Sequence, residues 1–393
     1  MDTFSFRLEA TCGTARAALL TTPHGTIPTP AFMPVATQAS VKALTPAEAR
    51  ACGSHILLCN AYHLALRPGV EVVEAFGGLH AFMGWDGPLL TDSGGFQVYS
   101  LGDLRKVTEE GILFQSHLDG STHWLTPETA IRNQEGLGAD LITCLDECLP
   151  YGAPRDALEQ AVARTQRWAE RCLHARRRAD QALFAIVQGG HDLALRRASA
   201  EGLVALNCEG YAVGGLSVGE AKDLFLSLAQ FTALLLPTHK PRYLMGVGAP
   251  DDLVRCIGMG YDLFDCVLPT RAGRTGGIYT HRGRVDITSA RWRVERGPLE
   301  EGCDCFTCAH FSAGYVHHLF RAQELLAYRL ASLHNLRFYQ RLVAQARQAI
   351  LEGRFPAWQE AFLHTYRPTN EEARLAQHQK RLQSRSLREE TWH

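Results

Sequence analysis

Eight short apolar runs recur along the first two thirds of the chain: AFMPVAT (31–37), HILLCNA (55–61), PLLTDSG (88–94), DLITCLDE (140–147), LFAIVQG (183–189), EGYAVGGL (209–216), RYLMGVG (242–248) and LFDCVLPT (263–270). Continuous runs of this length predict parallel strands covered on both faces, because a strand buried on one face only would alternate. Helical patterns fill the seven steps between them. Thr45-Pro46-Ala47-Glu48 predicts one helix start, with a capping box and a first-turn proline, and Thr126-Pro127-Glu128 predicts another. Eight β/α units predict an α/β fold of the (β/α)8 TIM-barrel kind. The alternative, an open doubly wound sheet, lacks the G-x-G-x-x-G expected after its first strand.

Two segments break this rhythm. Residues 112–128 alternate around Asp119-Gly120, and residues 276–287 around Arg282-Gly283; both predict hairpins. The chain therefore reads as a barrel over 1–300 with two hairpin insertions, a cysteine-rich helical subdomain over 301–365 packed on it, and a basic tail over 366–393.

Polar residues gather at one end of the runs. Asn60, Asp92, Asp146, Gln188, Gly215, Met245 and Asp265 all fall at or just past the carboxyl side of a predicted strand, the face where barrel enzymes build their sites. A carboxylate at the end of an apolar strand is costly unless it is paired or opens onto a cavity, so three of them at equivalent positions point to an active site.

Composition narrows the setting. The 393 residues are 46% hydrophobic, no run is long enough to span a bilayer, and the first twenty residues lack a signal-peptide pattern. With twelve cysteines, several inside apolar runs, the expectation is a cytoplasmic protein without a membrane partner. A net charge of −1 argues against nucleic acid only on average. From Arg271 to Arg296 seven arginines face Asp286 and Glu295, a local balance of +5.

Cys303-Asp304-Cys305-Phe306-Thr307-Cys308 is C-x-C-x-x-C, a spacing that in a reducing compartment holds zinc. His310, His317, His318 and His334 are candidates for the fourth ligand. His334 is the choice, since a helix-borne His can return to a cysteine knuckle. Four protein ligands make the zinc structural, one per subunit.

Asp92 and Asp265, on different strands, suit the general acid/base and the nucleophile of retaining glycosyl transfer. Asp146, Gln188 and the Gly215 N–H offer acceptors and donors for a purine edge, and Phe96 and Met245 could stack on its faces.

With these residues the chain resembles the tRNA-guanine transglycosylase family. The resemblance is carried by TDSGGFQ (91–97), LDEC (145–148), VQGG (187–190), GGLSVGE (214–220), LMGVG (244–248), FDCVLPTR (264–271) and the cysteine cluster with a His 26 residues on, over about residues 5–365. It implies an irregular (β/α)8 barrel with a zinc-binding subdomain, exchanging the wobble guanine of tRNAs with U-G-U anticodon loops (Asp, Asn, His, Tyr) for a 7-deazaguanine. Asp265 would attack the ribose C1′ and Asp92 would serve the departing and incoming bases. Asp146, Gln188, Gly215 and Leu216 would read the base edge between Phe96 and Met245. Glu220 would support the Leu216–Ser217 peptide, and Arg271 and Arg274 would contact the anticodon loop. Cys148 and Val218 resemble the bacterial type, which takes 7-aminomethyl-7-deazaguanine; Gly at 218 would make room for queuine. Ser217 departs from the family pattern, as do Ala313-Gly314 ahead of Tyr315, in a helix that forms the homodimer contact in the family. Retention of both Asp92 and Asp265 argues against a non-catalytic subunit, and a full ligand set argues against a zinc hydrolase.

Overall fold

A computed structural model describes residues 4–101 and 105–368. Every predicted run contains a strand: β1 Ala31–Pro34, β2 Leu57–Asn60, β3 Leu89–Asp92, β4 Leu141–Thr143, β5 Ala182–Val187, β6 Gly210–Val213, β7 Arg242–Leu244 and β8 Leu263–Cys266. They pair in the order β1-β8-β7-β6-β5-β4-β3-β2, all parallel. The circle closes on one bridge, Val35 to Leu58, beside which the Ala36 N–H donates to the Leu58 carbonyl. Thr45 and Thr126 cap their helices as predicted, the first in a full capping box.

Strand alternation sorts the core into two layers. Met33, Leu58, Leu90, Leu141, Phe184, Ile186, Ala212, Tyr243 and Leu263 fill the barrel interior. Their neighbours in sequence, such as Phe32, Leu57, Leu89, Ile142, Val213 and Phe264, pack outward against the helices. Two residues beyond an interior position the parity is again inward, which aims Asn60, Asp92, Gln188, Met245 and Asp265 into the mouth.

Both predicted hairpins form. Ile112–Gln115 and Thr122–Leu125 pair antiparallel and gain a third strand, Arg105–Val107; Gly277–Thr280 pairs with Gly283–Asp286. A three-stranded antiparallel sheet at the N-terminus (Ser5–Cys12, Ala15–Thr22, Gly25–Thr29) was not anticipated from the sequence. It closes the end of the barrel opposite the mouth. Leu20 and Ile27 join the interior cluster, buried Arg16 donates through both Nε and Nη2 to Asp262, and His24 donates to Asp140 ahead of β4.

After β8 a smaller apolar core gathers Ile278, Ile287, Leu299, Val316, Leu319 and Leu330. The 27-residue helix Leu325–Leu351 runs from this core onto the barrel. Buried Asn335 ties it to the second hairpin and the end of β8, accepting from the Tyr279 N–H and donating to the Pro269 and Gly277 carbonyls. Farther along, Gln340 donates to the Phe32 carbonyl and to Ser54, and Arg337 to the Cys52 carbonyl. The helix thus splints the weakly paired seam between β1 and β2. The basic stretch Arg374–Arg388 lies outside the described residues.

Candidate active site and metal centre

Asp92 and Asn60 end adjacent strands in register. Asp92 Oδ1 accepts from the Ala61 N–H at 3.0 Å, and Oδ2 accepts from Asn60 Nδ2 and from Gln97 Nε2 at 2.8 Å. Burial pushes this carboxyl up to about 6; the three hydrogen bonds oppose the rise and the charge on Asp265 adds to it. Asn60, which the sequence places at the mouth with the other candidate site residues, is bonded to Asp92. Gln97 was missed, although it closes the TDSGGFQ motif.

On the far side of the mouth, Asp265 Oδ1 accepts from the Tyr243 hydroxyl at 2.6 Å and the Gly246 N–H at 2.7 Å. Among the described residues its Oδ2 has no hydrogen-bond partner. Burial raises this carboxyl too. Tyr243 carries its hydroxyl from the interior layer of β7 and shares that layer's inward parity.

Asp146, three residues past β4, accepts at Oδ2 from Gln188 Nε2 at 2.7 Å, and burial pushes its pKa up to about 6. Gly95 is needed for this approach: a Cβ there would stand 2.9 Å from the Asp146 carbonyl oxygen. An acid raised in the folded state favours folding while neutral, at and below its usual 3.8, and that contribution is lost as pH climbs through about 6. Asp146→Asn, still able to accept from Gln188, should match the native protein at pH 4. Above pH 6 it should be more stable by up to about 3 kcal/mol, at ~1.36 kcal/mol per pH unit. Thermal melts across this range test it; a gap independent of pH would exclude a raised Asp146 pKa.

The turn after β6 stands beside Gln188. Gly215 has φ +65°, and a Cβ on it would lie 2.5 Å from Gln188 Oε1. Buried Glu220 accepts from the Ser217 N–H and, at 2.9 Å, from the Val218 N–H. Leu216 is buried, Met245 half-buried, and Phe96 exposed at the start of the helix Gly95–Leu101.

Beyond the mouth, Cys303, Cys305, Cys308 and His334 converge. The sulfurs lie 3.7, 3.5 and 3.3 Å from His334 Nδ1. Ligands held tetrahedrally at ~2.3 Å (S) and ~2.0 Å (N) from an ion are separated by about 3.5 Å, so the spacing suits a metal. His334 Nε2 donates to the Tyr279 carbonyl at 2.8 Å, which leaves Nδ1 as the lone-pair donor. The four residues could hold a metal ion. His310 and His317 instead bond the Phe306 and Ile287 carbonyls. A second group, His24, His80 and Asp140, has its two rings stacked 3.6 Å apart at 16°. An ion cannot lie near the plane of both rings, and the group reads as hydrogen bonding.

Arg271 and Arg274 project from the short helix Leu268–Arg274 directly after Asp265. Their helix packs tightly on the long one, since a Cβ on Gly273 would stand 2.9 Å from the Ser332 nitrogen. Arg271, Arg274, Arg282, Arg284, Arg291, Arg293 and Arg296 are all exposed, and among the described residues none forms a salt bridge.

A parallel eight-stranded barrel with two inward carboxylates at its mouth, amide and backbone hydrogen-bonding groups beside them and a Cys3His cluster on its flank has the parts of a barrel enzyme that works through a carboxylate pair. Comparison with known sequences narrows the class. The sequence model of the queuine tRNA-ribosyltransferase family matches residues 11–368. Proteins named queuine tRNA-ribosyltransferase from Thermus thermophilus, Herpetosiphon aurantiacus and Dehalococcoides mccartyi are 56, 50 and 48% identical over 355, 384 and 384 residues. These alignments cover 90, 98 and 97% of this chain and 92, 98 and 98% of the relatives. The chain belongs to the queuine tRNA-ribosyltransferase family and is a pentosyltransferase. No helix among the described residues is long and apolar enough to cross a membrane.

Proposed function

We propose that this tRNA-guanine transglycosylase of queuosine biosynthesis exchanges the wobble guanine of U-G-U anticodon loops, in tRNAs for Asp, Asn, His and Tyr, for 7-aminomethyl-7-deazaguanine. The observation that carries this reading is the asymmetry of Asp265: one oxygen is pinned by Tyr243 and Gly246 while the other accepts no hydrogen bond among the described residues. The free oxygen attacks ribose C1′ as the C1′–N9 bond breaks, and Asp92 gives its proton to the departing guanine. The incoming base then returns a proton from N9 to Asp92 and displaces Asp265, with net retention. A residue whose pKa is about 6 can serve in both directions near neutral pH.

Asp146, Gln188, Gly215 and Leu216 read the base edge, and Phe96 and Met245 hold its faces. The Ser217 N–H directed at Glu220 leaves the Leu216 carbonyl pointing the opposite way, as an acceptor suited to an aminomethyl group. The base must leave its stack to reach this depth, and arginine forks hold the loop that presents it. The Cys3His cluster binds one structural zinc per subunit, and the chain acts in the cytoplasm as a homodimer.

The test supplies labelled guanine and a transcript with a U-G-U anticodon loop; label should enter the RNA, and no incorporation would end the proposal. For Arg271→Ala and Arg274→Ala, KM for tRNA should rise roughly tenfold with little change in kcat. The slope of log affinity against log salt should shrink by about one per arginine. Titrating KM from low to moderate salt measures both, and unchanged slopes would remove these residues from the RNA contact.

A further inference from the structure

Arg196 is fully buried, and among the described residues no carboxylate lies within salt-bridge distance of it. Buried charges are normally paired, so a guanidinium bonded only to carbonyls needs a reason to be kept. Its Nε donates to the Gly190 carbonyl at 2.7 Å, and Nη2 donates to the Gly214 carbonyl at 3.3 Å and the Gly215 carbonyl at 3.2 Å. Two consecutive peptide planes of the turn after β6 are thereby held by one side chain.

In a trans peptide the carbonyl and the next N–H point in opposite directions. Holding the Gly214 carbonyl therefore turns the Gly215 N–H away from Arg196, toward the side where the Cys148 thiol stands. Sulfur is a weak acceptor. A donor with no stronger neighbour than a thiol is available to a better acceptor, such as an exocyclic carbonyl oxygen. Gln188 crowds the same glycine and also holds Asp146, an acceptor for ring N–H groups. Donor and acceptor together match the edge of a 6-oxopurine.

We propose that Arg196 is a positioning residue that presents the Gly215 N–H to the 6-oxo group of the base and so restricts the pocket to 6-oxopurines and their 7-deaza forms. The inference rests on the base-exchange reading above. Glu220 holds the following peptides from the other side, so two buried ionic groups of opposite sign fix the donor and acceptor pattern of this turn.

The test measures inhibition constants of guanine and of 2-aminopurine, which lacks the 6-oxo group, against labelled-guanine incorporation at saturating tRNA. The native enzyme should prefer guanine by roughly 100-fold. In Arg196→Lys, whose single nitrogen cannot span the three carbonyls, this preference should fall about tenfold or more while KM for tRNA stays constant. Loss of the N1–H in 2-aminopurine is common to both enzymes and cancels in the comparison. The ratio belongs to whatever enzyme is active, so partial misfolding does not mask it, and Arg196→Gln gives a second reading. An unchanged ratio in an active variant, or a native enzyme that binds both bases equally, overturns the inference. Failure of the native enzyme to incorporate guanine would instead overturn the base-exchange reading itself.

Discussion

Asp265→Asn yields a folded protein in which base exchange falls by at least about 10⁴-fold, some 5.4 kcal/mol at 1.36 kcal/mol per decade. The amide keeps an oxygen that can accept from the Tyr243 hydroxyl and the Gly246 N–H, so the local frame survives. What changes is the other atom. An amide NH₂ replaces the free carboxylate oxygen, and it has no lone pair able to form a stable bond to C1′. Folding should be unharmed or improved, because a carboxyl disfavoured by burial is exchanged for a neutral group. Two readouts are needed: exchange of labelled guanine, and a protein–RNA adduct that resists denaturing electrophoresis. The native enzyme should show both and Asp265→Asn neither. Exchange within tenfold of native would mean that another group attacks the sugar.

Removing the metal, or a ligand through Cys303→Ala, is expected to have the largest effect on stability. Three sulfurs crowd one imidazole nitrogen at 3.3–3.7 Å, an arrangement that a cation reconciles and that three thiolates alone would not tolerate. Metal-site loss belongs to the mechanisms costing more than about 4 kcal/mol, which at ~2–4 °C per kcal/mol lowers Tm by about 10 °C or more. Metal content should start near about one zinc per chain and fall in the variant. Cys303→Ala with native metal content would refute the ligand set, and a different ion would refute zinc.

The barrel was legible because its strands are buried on both faces, which writes them as continuous apolar runs. The residues ending seven of the eight runs, five of them polar, then marked the mouth. The N-terminal sheet was not legible. Ser5–Cys12 is largely exposed, and Ala15–Thr22 is alanine-rich and almost wholly buried, so neither strand alternates in the manner of a half-buried hairpin. Arg196 was invisible for another reason. It stands beside Arg197 in Leu193–Ala205, and the pair looks like the polar face of a surface helix; in the structure the first is buried and the second exposed. Tyr243 shows the limit from inside an apolar strand, where its ring reads as core and its hydroxyl's aim at Asp265 depends on the closed barrel. His334 could be chosen from its helix, but the Tyr279 carbonyl that fixes its tautomer comes from a hairpin 55 residues away.

The long helix carries His334 on its buried face and, six residues on, the Gln340 that bridges β1 to Ser54, just ahead of β2. Asn60, at the other end of β2, holds Asp92. A chain that has lost its ion should therefore drop out of the catalytic population instead of working slowly. Preparations with partial zinc would then behave as a dilute sample of normal enzyme. Counting active centres by single-turnover adduct formation, and dividing rates by that count, should give the same turnover number from one batch to the next when rates per milligram disagree.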